Sequence, residues 1–267
     1  MTARPRPAAL FATLGLATLG FAALGACGDD APKGKATPAT RPVAPATAAP
    51  TPPRAYVDRS APAADPVLAE LQQKIAAARA QGRLDTSKPD WRSGGVPMRL
   101  PQKPAAAFDA AKAYRLVLET DAGALVFKLW PAKAPKHVAN ALYLALLGFY
   151  DDTVLYKVAP GKVVEGGCPV GDGLGSPGFA LEPEPGEAGQ NAHARRGLLA
   201  STGIGGSTDD SKFRILLAPD PSLDTLSTVY GELVEGDDVL KALEALGGED
   251  GRPTKRVVVK RAEIEVK

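Results

Sequence analysis

The spacing of apolar and polar positions divides this 267-residue chain into stretches of different character. Residues 8–23 are dominated by Ala, Leu, Phe and Gly and follow Arg4 and Arg6, the layout of an export signal. Apolar positions then lose any period until Asp65, after which Val67, Leu68, Leu71, Ile75 and Ala78 recur on one helical face. Asp65 suits the N-cap of that helix, Pro66 its first position and Gly82 its end. The segment 83–112 is broken by Pro89, Pro97, Pro101 and Pro104 and reads as irregular, with Trp91, Val96, Met98 and Leu100 able to tack it down. Tyr114–Glu119 and Leu125–Trp130 then read as two strands joined through Asp121-Ala122-Gly123. Helical spacing returns over Pro135–Leu147, with Val138, Leu142, Ala145 and Leu146 on one face and Gly148 just past the end. Short strand-like runs follow at Val154–Val158, Val163–Glu165, Gly197–Ser201, Phe213–Leu217 and Thr228–Val234. A helix over Asp237–Leu246 and a strand over Arg256–Val266 complete the pattern. Many short strands with two widely spaced helices suggest a mostly β body, a closed antiparallel barrel with helices over its open ends.

Composition sharpens the N-terminal third. From Ala31 to Asp65 the chain turns to Pro, Ala and Thr, including Pro32, Pro38, Pro42, Pro45, Pro50, Pro52 and Pro53. Such a segment buries too little apolar surface to offset the entropy of ordering it, and is expected to be a disordered, extended tether. Just before it, Leu24-Gly25-Ala26-Cys27 resembles the lipobox of bacterial lipoproteins, in which the Cys becomes the first mature residue and is acylated. An uncleaved membrane helix is disfavoured by the shortness of the run and by Gly15 and Gly20. An ordinary signal peptide is disfavoured by the position of Cys27. Several acyl chains hold a protein at a membrane far better than one. Gly28, rather than Asp, follows Cys27, which favours the outer over the inner membrane. The organisation expected is a signal peptide over 1–26, a linker over 27–65, a short helix plus irregular segment over 66–112, and the body over 113–267.

Charge and rare residues exclude several chemistries. Thirty-two Lys and Arg against 30 Asp and Glu give a formal charge of +2, without the basic excess of a nucleic-acid binder. Two His and two Cys argue against a zinc or iron–sulfur site. With Cys27 acylated, Cys168 has no internal partner.

The body carries a run of motifs beginning with Pro131-Ala132-Lys133-Ala134-Pro135-Lys136, Gly148-Phe149-Tyr150-Asp151, Val158-Ala159-Pro160-Gly161 and Glu165-Gly166-Gly167. Further on come Gly171-Asp172-Gly173, Pro177-Gly178-Phe179, His193-Ala194-Arg195-Arg196-Gly197, Leu223-Asp224 and Val229-Tyr230-Gly231. Taken in this order, the stretches from Tyr114 to Val266 resemble the cyclophilin family of peptidyl-prolyl isomerases. From Gly197 to Ile215 the register fits the family's central motif without a gap, keeping Gly205, Thr208, Ser211 and Phe213.

The resemblance implies an eight-stranded antiparallel barrel capped by two helices, and rotation about X–Pro amides as the activity. That rotation faces a barrier of roughly 18–20 kcal/mol and breaks no bond, so neither metal nor cofactor is expected. It needs an apolar pocket for the Pro ring and a cation near the prolyl nitrogen as it loses conjugation. Lys157 stands at the position of the family's Arg, behind Tyr156 in place of the usual His. Lys is a flexible point charge without the guanidinium fork. In the substrate groove, Lys162 and Arg214 replace Phe residues, Val163 replaces Met, and Glu165 and Lys212 replace the Gln pair that grips peptide backbone. Thr202-Gly203-Ile204 replaces Ala-Asn-Ala, Ser222 the frequent Trp and Ser227 a His, while Leu223 is retained. A buried unpaired cation costs several kcal/mol, so these cations are expected to fill the pocket, keep it wet, or snorkel outward on methylene stems lining it.

Other motifs take simpler readings. Gly171-Asp172-Gly173-Leu174-Gly175 lacks a following helix, and Gly203-Ile204-Gly205-Gly206-Ser207-Thr208 lacks the Lys of a phosphate loop. His137 reads as a surface residue of its helix and His193 as structural. Ser201, His193 and Asp209 form a triad only on paper, without a strained nucleophile turn. Cys168 reads as a small half-buried hydrophobe. The function expected is a membrane-anchored, periplasm-facing isomerase that assists folding of exported proteins. Its partners are proline-containing polypeptides and the membrane itself, with no nucleic acid, and a monomer is expected. The alternative is a peptide-binding module or envelope scaffold without turnover.

Overall fold

The computed structural model describes residues 54–87, 92, 106–184, 192–203, 208–209 and 211–267. All of them belong to one compact unit, Pro52–Lys267. The signal run, Cys27, most of the Pro-rich tether, Trp91, Val96, Met98, Leu100 and Ile204 lie outside the described residues.

Helix α1 spans Pro66–Ala80 and buries the five apolar residues that its spacing singled out. The Asp65 carboxylate accepts from the Val67 and Leu68 amides at 3.0 and 3.3 Å, the capping expected of it. Its second oxygen accepts from the Tyr114 hydroxyl and from Lys112 Nζ, both at 2.9 Å. One buried carboxylate therefore caps α1 and ties it to the start of the body. Burial raises the Asp65 carboxyl, but the Lys112, Tyr114 and Leu68 hydrogen bonds outweigh it and hold it below the ordinary value. Burial and Asp65 together push the Tyr114 phenol up to about 12.

Asp65→Ala is expected to cost about 2–3 kcal/mol, from a lost cap and an orphaned buried hydroxyl. Because the folded carboxyl is depressed, its contribution is complete above the unfolded value of about 3.9 and is lost as pH falls through the folded one. Urea midpoints against pH check this: Asp65→Asn should flatten the acid limb, and an unchanged limb contradicts the assignment.

The chain continues through β1 (Tyr114–Thr120), β2 (Gly123–Leu129), α2 (Pro135–Leu147), β3 (Thr153–Val154), β4 (Lys157–Ala159) and β5 (Val163–Gly166). It ends with β6 (Ala180–Leu181), β7 (Leu198–Ser201), β8 (Thr208–Asp209), β9 (Phe213–Leu216), β10 (Val229–Glu235), α3 (Asp237–Glu244) and β11 (Val258–Val266). A single-turn 3-10 helix, Pro221–Leu223, precedes β10. Every ladder is antiparallel, and nine strands form one curled sheet in the order β3-β11-β1-β2-β10-β7-β9-β5-β4, with β6 and β8 as a separate ribbon.

The body is mostly β with two helices of its own, as expected. The main sheet has nine strands rather than eight, because the run expected at Val154–Val158 divides at Leu155-Tyr156. Leu155 bonds back to Val257 at 3.0 Å, beside β11, and Tyr156 to Glu165 at 3.0 Å, on β5. Two residues thus link the opposite edges of the sheet. No ladder joins β3 to β4 among the described residues.

Helix α2 has more than one apolar face. Eleven of its residues, from His137 to Leu147, are buried, because α1 packs over the side turned away from the sheet. Gly148, at φ +74°, ends it with Phe149 N–H donating to the Leu144 carbonyl at 2.9 Å.

The linker expected over 27–65 does not run to its stated end, since residues 54–65 lie against the body. Val57 N–H donates to the Ile264 carbonyl at 2.8 Å, and Tyr56 hydrogen-bonds to Glu119. Arg54 pairs with Glu235 at 2.6 Å, and Arg59 with Asp151 at 2.5 Å. An aromatic and paired charges give this piece contacts that Ala, Pro and Thr cannot provide.

Candidate functional site

Alternation along the strands sorts side chains onto two faces. Val158, Val164, Ile215 and Leu199 pair in register across β4, β5, β9 and β7 and belong to the main core. Their neighbours Lys157, Glu165, Arg214 and Ala200 pair in the next row, on the opposite face. Two residues along, Ala159, Val163 and Leu216 share that face. There Val163, Leu198, Ala200, Leu216, Leu223 and Val229 form a second apolar cluster, flanked by Ala159 and Trp130. The outer face is thus a polar row beside an apolar stripe.

Glu165 is the hub of the polar row and is 6% exposed. Lys157 Nζ and the Arg214 guanidinium each lie 3.4 Å from its carboxylate, one on each oxygen. The Tyr156 hydroxyl donates to it at 3.4 Å, and burial pushes that phenol well above its ordinary value. Arg214, 7% exposed, also donates to the Thr202 carbonyl at 2.9 Å, and its Nε has no partner. Lys212 Nζ donates to the Gly173 carbonyl at 2.6 Å. Lys157 is the most exposed of these cations, with 45% of its side chain exposed. These groups line a cleft of about 400 Å³ whose far wall is Asp250, Gly251 and Arg252.

The structure therefore brings Tyr156, Lys157, Glu165, Thr202, Lys212 and Arg214 around one cleft, and Val163 with Leu223 into the adjoining stripe. Lys162 is exposed in the β4–β5 turn and is not among the residues that line the cleft or form the stripe. Ser222 is exposed and donates to Asp220 at 2.5 Å. Gly203 is buried. Ser227 is not a groove residue: it is fully buried and donates to the Ser201 carbonyl at 2.7 Å, holding β7 to the start of β10.

Sequence reasoning missed the loop Gly171–Gly175 as part of the cleft. Asp172 accepts from the Leu174 and Gly175 amides at 2.7 and 3.3 Å, the first of which holds its carboxyl below the ordinary value. The loop presents the Gly173 carbonyl to Lys212. Its signal was the paired Gly171 and Gly173, both at positive φ, with the Tyr156 ring against Gly173.

The remaining candidates are structural. His137, expected on a surface, is 5% exposed, because Glu184 bonds its Nδ1 at 2.7 Å and the Lys136 and His137 amides at 3.0 and 2.9 Å. Those orphan donors at the start of α2 draw the carboxylate in. His193 is fully buried with Nδ1 2.8 Å from Asp224, and Ser201 Oγ accepts from Thr228 N–H at 3.0 Å, so no triad assembles. Cys168 is free and fully buried rather than half-buried. No group of three or more metal-ligating side chains occurs among the described residues.

Comparison with known proteins now decides the family. Residues 115–264 match the family described as cyclophilin type peptidyl-prolyl cis-trans isomerase. The chain belongs to the cyclophilin family. It is 37% identical over 154 residues to peptidyl-prolyl cis-trans isomerase-like 2 of Cryptococcus neoformans, covering 56% of this chain and only 27% of that protein. It is 37% identical over 134 residues to a peptidyl-prolyl cis-trans isomerase of Synechococcus elongatus, covering 50% of this chain and 89% of that one. The fold matches a cyclophilin type isomerase of Cryptosporidium parvum with TM-score 0.54 and 27% identity, over 57% of this chain and 98% of that chain. A cyclophilin fold thus occupies just over half of the chain, and the family's activity is isomerisation at proline.

Proposed function

We propose that this cyclophilin is a membrane-anchored peptidyl-prolyl isomerase that acts on exported polypeptides, with the outer face of β4, β5, β9 and β7 as a divergent, slow active face. The carrying observation is the position of Lys157: a half-exposed cation in the same row as Glu165 and Arg214, beside the stripe of Val163 and Leu223. A prolyl ring laid on that stripe places its nitrogen toward the cleft. As the amide twists, the nitrogen loses conjugation and its lone pair localises on it, and Lys157 stabilises that pair in the transition state more than in the ground state.

Two features slow the reaction. Glu165 draws on the charge of Lys157 from 3.4 Å, and a lysine holds no fixed fork toward the nitrogen. Arg214 is tied at its tip to Glu165 and Thr202, so its methylene stem replaces an aromatic wall.

The test is cis/trans exchange of a short X–Pro peptide with the full chain in detergent. Acceleration is expected, reduced about 100-fold in Lys157→Ala, as for loss of one transition-state donor, and increased in Lys157→Arg. No acceleration at high protein concentration removes the catalytic reading. The anchoring part rests on Leu24-Gly25-Ala26-Cys27 and is read by incorporation of labelled fatty acid, abolished in Cys27→Ala.

The second reading, a binding module without turnover, is favoured by one observation. Arg214 and Lys212 already satisfy themselves on backbone carbonyls within the groove. Peptide binding without acceleration selects it.

A further inference from the structure

A groove of about 830 Å³ opens outside the active face, between residues 106–113 and the end of β2. Its apolar lining includes Phe108, Trp130, Pro131 and Pro135. Phe108 is fixed edge-on against Tyr114, with ring centroids 5.1 Å apart. Trp130 is half-buried and forms a shared wall, because it also packs against the apolar cluster that contains Val163 and Leu223. Trp130 is therefore shared between the groove and the apolar stripe on which the proline peptide is proposed to lie.

Its charge is one-sided. Lys112, Lys128, Lys133 and Lys267 line it, with Asp109 as the single acid of the lining. Lys112 and Lys267 are held by Asp65 and Glu265 at 2.9 and 3.0 Å. Lys128 is exposed and makes no ion pair among the described residues. Lys133 stands 4.5 Å over the Trp130 ring without a carboxylate partner among them. Two cations without an ion pair among the described residues, Lys128 opposite Glu232 in the β2–β10 ladder and Lys133 over the Trp130 ring, thus flank an aromatic and proline wall.

We propose that this groove is a second polypeptide subsite, which takes a client segment of alternating large apolar and acidic side chains beyond the isomerised proline. It rests on the reading of the neighbouring face as peptide-binding. Apolar side chains bury against Trp130, Phe108 and the two prolines, while carboxylates meet Lys128 and Lys133 at the rim. Since an extended strand turns alternate side chains to opposite sides, a Leu/Glu alternation satisfies wall and rim together.

The test uses the full chain in detergent with Trp91→Phe, which leaves Trp130 as the only tryptophan. The probe is a proline-free peptide of alternating Leu and Glu, compared with its Leu/Lys counterpart. A saturable change in Trp130 emission is expected with the Leu/Glu peptide alone. It should weaken at higher salt, and about tenfold in Lys128→Glu/Lys133→Glu at unchanged thermal midpoint. Lys157→Ala should leave it untouched. No saturable change, equal binding of the Leu/Lys peptide, or loss in Lys157→Ala overturns the proposal. So does a response to phosphatidylglycerol vesicles without a response to peptide. Intact peptide binding in a chain that fails to accelerate proline exchange removes the catalytic reading and leaves the groove standing.

Discussion

Glu165→Gln is expected to destabilise the protein by about 3–5 kcal/mol, the cost of leaving a buried cation without its anion. Arg214 is 7% exposed, and its tip is shared between Glu165 at 3.4 Å and the Thr202 carbonyl at 2.9 Å. Its Nε already lacks a partner. Removing the carboxylate charge leaves a guanidinium with only neutral acceptors, the Thr202 carbonyl and the new amide, in a largely buried position on the sheet face. Lys157 is not trapped in this way, because half of its side chain is in water. The double variant Glu165→Gln/Arg214→Phe should behave oppositely. It removes both charges at once, which is often neutral or stabilising for a buried pair, and installs the two residue types usual in the family at these positions. Most of the lost stability should return, giving a coupling energy well above that of independent sites. Exchange of an X–Pro peptide should also rise about tenfold, the equivalent of roughly 1.4 kcal/mol of recovered ring contact. Urea midpoints and exchange rates on the two single variants and the double settle it. If the double is no more stable than Glu165→Gln, the pair is not what holds the row. If it is stable but no faster, the altered wall is not what slows the face.

The legible and illegible parts of this molecule divide along physical lines. α1 was readable because Val67, Leu68, Leu71, Ile75 and Ala78 repeat at helical spacing and Asp65-Pro66 is a local capping signal. The second outer side of α2 was not, since what covers it is α1, more than fifty residues away in sequence. Lys157, Glu165 and Arg214 were singled out by the family resemblance, and the ladders set them in one row because pairing partners share a face. Ser227, also taken from the resemblance, is fully buried just before β10, and its hydroxyl donates to the Ser201 carbonyl rather than facing the groove. The Pro-rich composition concealed the docked residues 54–65, although Arg54, Tyr56 and Arg59 break the Ala/Pro/Thr pattern at that point. That mismatch was the readable signal for the start of the docked segment. The cross-strand pairing of Arg214 with Glu165 had no local signal, because 49 residues separate two positions that the β5–β9 ladder sets side by side.

Gly167→Ala is expected to cost about 4 kcal/mol, whereas Gly161→Ala, at nearly the same backbone angle, should cost about 1 kcal/mol. Gly167 has φ +80° and Gly161 φ +67°, so both substitutions force alanine into the left-handed region, which costs roughly 1–2 kcal/mol. The surroundings differ. A methyl group at Gly161 meets nothing within 4 Å in the open β4–β5 turn. At Gly167 it falls far inside contact distance of the Ser211 carbonyl oxygen and 3.0 Å from the Phe213 ring. Neither neighbour is free to yield: Ser211 and Phe213 are each 1% exposed, and Phe213 pairs with Gly166 at the end of the β5–β9 ladder. Overpacking of this kind adds roughly 1–3 kcal/mol. The strain also reaches the active face, because the same ladder aligns Glu165 with Arg214 two positions along. Gly167→Ala should therefore slow proline exchange in the fraction that remains folded, while Gly161→Ala leaves it near the unsubstituted rate. Urea denaturation of both variants at unchanged m measures the two costs. Equal costs show that backbone angle alone sets the requirement, and that the Glu165-Gly166-Gly167 sequence does not reflect close packing beneath the site.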